Sequence, residues 1–130
     1  MVIDSAPMAH KMRADLVVEA AAQQLRQLLK EAASLLDPFP PFPGSFFTLG
    51  IEVEGGMSES VERGCVVLAS DGELYELAIS IDAELGHSDP MAARDEKLRP
   101  LDLHPRDYIV YAYNALSRVT ELLMERRAGS

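Results

Sequence analysis

Three histidines, one cysteine and several closely spaced acids are the residues of this sequence best suited to chemistry. His87 lies in the stretch Asp82-Ala-Glu-Leu-Gly-His-Ser-Asp89, where three carboxylates and an imidazole share eight residues. Donors at that density could hold a divalent cation. Their order, however, matches neither a zinc site nor the calcium loop, whose ligands alternate around a fixed glycine. A solvated acidic loop is therefore expected, and no metal or cofactor is assigned. His10 falls in the first turns of a helix and His104 at a helix start, where solvent-facing and capping roles account for them. Cys65 sits inside a strand pattern with Arg63 two residues away. A reactive cysteine belongs at a loop or helix start beside a positive charge, so a structural role is expected here. Glu52, Glu54 and Glu76 could line one face of a sheet as a carboxylate group, although charged sheet faces are common without chemistry. Tyr108, Tyr111 and Tyr113 cluster with Arg106 at the start of the last helix. With His87, the residues Arg106, Tyr108 and Tyr111 are the candidate ligand or lid residues, and edge-of-core packing is the competing role for the rings. The sequence holds no phosphate-binding loop, dinucleotide fingerprint or serine elbow, so no catalytic or cofactor-binding residue is assigned and an enzyme is disfavoured.

Charge narrows the partners. The formal net charge is -9, and residues 45–104 hold 13 acids against 4 bases. Such a field repels phosphate backbones and anionic membrane surfaces, so neither nucleic acid nor membrane is expected, whereas a basic protein partner suits it. A single cysteine forbids an internal disulfide, which fits a reducing compartment. No apolar run nears the roughly 20 residues of a membrane span, and Asp4 interrupts the N-terminus before any secretory core, so a cytoplasmic location is expected.

The elements that would position these residues follow from periodicity. Ser5 as cap and Pro7 in the first turn open a helix running from about Ala6 to Leu36. Ala14, Val18, Ala21, Leu25, Leu28, Ala32 and Leu35 form its apolar stripe, flanked by Val17, Ala22, Leu29 and Leu36. Asp37-Pro38 ends it. Four prolines then fall within Pro38–Pro43, and all four phenylalanines lie between Phe39 and Phe47. A stiff connector with rings covering one end of the core is expected, ahead of a ligand for a proline-binding domain. Alternation over Phe46–Glu54 predicts a first strand, and Gly55–Ser60 a loop. Val61–Ala69 and Glu73–Ile81 flank Asp71-Gly72, which predicts a two-residue hairpin turn. That register sets Leu68 opposite Tyr75 and Val66 opposite Leu77, with Leu77 and Ile79 facing the helices. Asp89-Pro90 followed by MAARDEKL predicts a short helix stopped by Pro100, and His104-Pro105 opens a final helix that ends in Arg126 and Arg127.

The expected whole is one α+β domain over residues 1–130, with frayed ends at 1–5 and 128–130. Its order is a long helix, a three-stranded antiparallel meander, a short helix and a C-terminal helix, the helices packed on one sheet face. Element order and acidity are similar to those of the small acidic chaperones of bacterial secretion systems, without a shared motif. The reading favours a non-enzymatic protein-interaction, adaptor or chaperone-like module. The alternative is a small-molecule sensor with residues 82–104 as a lid. A first helix of roughly 45 Å overhangs strands of roughly 30 Å, so its stripe predicts a homodimer through Val18, Ala21, Ala22 and Leu25.

Overall fold

The computed structural model describes residues 6–43, 45, 48–54, 65–81 and 94–129, leaving aside the side chains of 79–81, 94 and 95. Ser5, Phe46, Phe47, the 55–64 segment with Arg63, and the 82–93 segment with His87 and Asp89-Pro90 lie outside the described residues. The protein is α+β: among the described residues, two helices pack on a four-stranded antiparallel sheet in the order β1-β2-β3-β4. The elements are α1 (Ala6–Ser34), β1 (Ile51–Glu52), β2 (Cys65–Leu68), β3 (Leu74–Ile81), β4 (Arg94–Pro100) and α2 (Pro105–Ala128).

Local signals place both long helices. Pro105 opens α2, and His104 caps it by accepting the Arg106 N–H on Nδ1 at 3.2 Å. Asp107 lies in the first turn and Arg126 and Arg127 in the last, as the helix dipole favours. α1 ends in a tight turn, in which the Leu35 and Leu36 N–H groups reach back to Ala32 and Ala33. The helices run side by side in the same direction. Arg26 stacks over the Tyr108 ring at 5.7 Å from its centroid, and Arg126 donates to the Pro38 carbonyl at 2.5 Å.

One core joins the helices to one sheet face: Leu29, Ala33 and Leu36 from α1, Ala112, Ala115 and Val119 from α2, and Ile51, Val66, Leu68 and Leu74 from the strands. The buried side of α1 is turned from the centre of its apolar stripe. Ala22, Leu29, Ala33 and Leu36 are buried, whereas Leu28 and Leu35 are exposed. The stripe is wide enough to dock on either flank, and the position of α2 selects the one carrying Leu29.

Of the short helix expected before Pro100, the described part is instead an edge strand: Arg94–Pro100 pairs with β3 from Ile81↔Arg94 to Tyr75↔Pro100. Its Arg, Glu and Lys residues are good helix formers, but the β3 edge offers seven paired positions. A charged outer strand ending in proline also shields the sheet from further pairing.

The hairpin register also differs from the expectation. Leu68 pairs with Leu74 and Val66 with Glu76, one residue away from the two-residue-turn register. The loop holds three residues, Ser70, Asp71 and Gly72, closed by Ala69 N–H to the Glu73 carbonyl at 3.0 Å and Gly72 N–H to the Ala69 carbonyl at 2.9 Å. Gly72 has φ +80°, as the last residue of such a loop requires. Asp71 organises the turn, accepting the Glu73 N–H at 2.9 Å and the Tyr75 hydroxyl at 2.5 Å. The bond to this carboxylate, followed by burial, raises the Tyr75 pKa. The slip moves Leu77 to the face away from the helices, where it is buried with Val67 and Phe42. Ile79 shares the strand side of Leu77, with its side chain outside the described residues.

The proline-rich segment thus has a second role besides capping the core end with Phe39. It folds across the far side of the sheet and buries Phe42 there. Ser45 and Thr48 tie this wrap to β4 through the Glu96 carboxylate, the Thr48 hydroxyl donating at 2.9 Å.

Candidate functional site

An open groove of about 610 Å³ lies among the described residues. Three segments distant in sequence line it: Pro40–Pro43, the β1 region from Gly50 to Glu54, and the Asn114–Leu122 side of α2. Each is placed by a local cause. Pro40–Phe42 runs antiparallel to Thr48–Gly50, with Phe42 N–H donating to the Thr48 carbonyl and Gly50 N–H to the Pro40 carbonyl, both at 2.9 Å. Proline has no N–H, so Pro40 cannot return a bond to Gly50, and this pairing stops there. Beyond Gly50 no described residue pairs with the outer edge of β1. Ile51 and Val53 are buried in the core, which turns Glu52 and Glu54 to the opposite face, and both are exposed. The opposite wall belongs to α2, where Arg118 pairs with Glu121 at 2.9 Å and Asn114 Nδ2 donates to the Glu54 carbonyl at 2.6 Å.

A smaller pocket of about 240 Å³ lies where α2 begins, between Glu19, Gln23 and Arg26 of α1 and the Leu101–Leu103 connection. Tyr108 lines it, and its hydroxyl is buried with no hydrogen-bond partner among the described residues. Burial raises the Tyr108 pKa, partly opposed by the Arg26 guanidinium above the ring.

The candidate residues are dispersed. Tyr111 is buried in the core, Tyr108 is half-buried at the small pocket, and Arg106 is exposed at the start of α2. His87 lies outside the described residues. Residues 94–100 of the suggested lid are a strand of the sheet, whereas Leu101–Leu103 do border a pocket. The three acids separate: Glu52 lies opposite Val67 on one face, whereas Glu76 lies opposite Val66 on the other. Cys65 is exposed at the start of β2. Of the proposed interface residues, Ala22 is buried and Leu25 packs on the core within the chain, while Val18 and Ala21 are half-exposed.

The groove wall on α2 was not singled out by sequence patterning, because Asn114, Ser117, Arg118 and Glu121 read as the ordinary polar side of an amphipathic helix. The signal that could have located the site is Pro40 inside a segment that otherwise pairs like a strand. Among the described residues no helix is long and apolar enough to cross a membrane, and no three potential metal ligands meet. No protein-family model matches this chain, and no curated protein or solved structure is recognisably similar to it.

Proposed function

We propose that this protein is a non-enzymatic protein-interaction module that binds an extended segment of a partner in the groove between β1 and α2. The observation that carries this reading is the open β1 edge at the groove floor, a stretch of backbone where a peptide can gain main-chain hydrogen bonds. The volume, about 610 Å³, lies within the usual range of ligand sites. A small-molecule sensor is the second reading, favoured by the buried Tyr108 hydroxyl that lacks a hydrogen-bond partner among the described residues at the pocket of about 240 Å³. Peptides selected from a random library on the folded protein test the reading. Their amide-shift footprint is expected on Glu52–Glu54 and Asn114–Leu122. Ser117→Trp, an exposed change that fills the groove, should weaken them at least about tenfold with the melting temperature unchanged. Binders that map elsewhere, or that tolerate Ser117→Trp, would overturn it.

The module is also read as a homodimer, on a revised face of α1. Ala14, Val17, Ala21, Leu28 and Leu35 recur at heptad spacing along the flank that α2 leaves uncovered, with Val17, Leu28 and Leu35 exposed. An antiparallel two-fold pairing that sets Val17 opposite Leu28 of a second copy would cover both of these exposed side chains. Light scattering at micromolar concentration should give about twice the chain mass of 14.3 kDa. Val17→Glu with Leu28→Glu should halve that mass while leaving the helical circular dichroism intact, since both positions are exposed within one chain. A wild-type monomer at high concentration would refute the dimer.

A further inference from the structure

We propose that the segment received by the groove carries lysine or arginine at alternate positions and adds to β1 as a further strand. This rests on the groove being the binding site. The backbone fixes the mode. Val53 N–H donates to the Val66 carbonyl at 2.9 Å, and Ile51 pairs with Leu68, so residues 51 and 53 turn their polar groups toward β2. Residues 50, 52 and 54 therefore turn theirs outward, because strand polarity alternates. Gly50 N–H is taken by Pro40, and the Glu54 carbonyl by Asn114. Between those two closures, Glu52 N–H, Glu52 C=O and Glu54 N–H point into the groove with no partner among the described residues. They form a short ladder of donor, acceptor and donor, which an extended backbone complements.

Side-chain direction then sets the chemistry of the occupant. In an added strand, the residues opposite Glu52 and Glu54 turn to the face those two carboxylates occupy. Cross-strand neighbours lie within about 4.5–5.5 Å, where opposite charges stabilise and like charges repel. The residue between them turns to α2 and meets Ser117 and Leu122, with Arg118 already neutralised by Glu121. The pattern is base, small or apolar, base. The same geometry disfavours edge-to-edge pairing of two copies of β1, which would stack Glu on Glu.

Fluorescence anisotropy with three labelled heptapeptides tests this: alternating lysine and valine, alternating glutamate and valine, and the lysine composition rearranged with its lysines adjacent. The alternating lysine peptide should bind best, the other two about tenfold or more weaker. Glu52→Lys with Glu54→Lys, both at exposed positions, should reverse the preference in favour of the glutamate peptide. Methylating the backbone nitrogens of the lysines, the residues that would lie opposite Glu52 and Glu54, should abolish binding to wild type. Equal binding of the adjacent-lysine peptide, or indifference to methylation, would reduce the effect to general attraction by an acidic protein and overturn the proposal. Library-selected peptides that occupy the groove without alternating bases would overturn the occupant and leave the groove reading standing. An alternating lysine peptide whose amide shifts lie away from Glu52–Glu54 would overturn both.

Discussion

Gly72→Val is expected to destabilise the protein by about 2–5 kcal/mol in urea melts, through two separable costs. At φ +80° a β-branched residue is strained. A Cβ at this position would also lie 2.6 Å from the Cα of Lys30, a backbone atom of α1 that cannot swing aside as a side chain would. The hairpin tip is held against the helix by Arg26 and Lys30, which reach the Glu73 carboxylate at 3.2 and 3.0 Å. These partly exposed pairs contribute little on their own, about 0–1 kcal/mol each, so the glycine contact is the dominant feature of the joint. Gly72→Asn separates the two costs. Asparagine tolerates the left-handed region, yet its Cβ still meets Lys30, so this variant should remain destabilised by more than about 1 kcal/mol. An asparagine variant as stable as the wild type would show that the helix accommodates the tip by moving.

Leu77→Ala should cost about 2–5 kcal/mol, as a fully buried leucine does when truncated. Leu77 is 2 % exposed, and its neighbours are Val67 and Phe42 on the sheet face away from the helices. The coupling is the more telling result. Phe42→Ala opens the same cavity, so the double variant should lose measurably less than the sum of the two single losses. Leu74→Ala with Leu77→Ala should be nearly additive, because Leu74 belongs to the helix-side core across the sheet. Strong coupling of Leu77 to Leu74 and none to Phe42 would return Leu77 to the helix side and restore the two-residue-turn register.

That register is the clearest case of a feature the sequence leaves open. Val66, Val67 and Leu68 are all buried, one after another, so β2 is apolar on both faces. Alternation then has no preferred face, and a one-residue slip exchanges one apolar set for another. The Asp-Gly pair marks the turn correctly but suits a two-residue loop and a three-residue one equally. The close contact of Gly72 with Lys30 and the covering of Leu77 by Phe42 exist only in the folded chain. β4 was illegible for a related reason: nothing within Arg94–Pro100 announces a strand, and its pairing comes wholly from the edge of β3.

What the sequence determined by itself is what short-range rules govern. The α+β class, the extent of both helices, the His104-Pro105 start of α2, and β3 as an extended strand after a turn at Asp71-Gly72 all follow from caps, dipoles and periods within a few residues. Tertiary structure decided which flank of α1 is buried, which face receives Leu77, that 94–100 joins the sheet, and that a groove exists. The groove needs Pro40 to end one pairing, Ile51 and Val53 to turn Glu52 outward, and Asn114 to close the far end, from segments some seventy residues apart in the chain. No local pattern encodes such a meeting, because it depends on how amphipathic surfaces choose among several partners of nearly equal affinity, and that choice is made by the whole core at once.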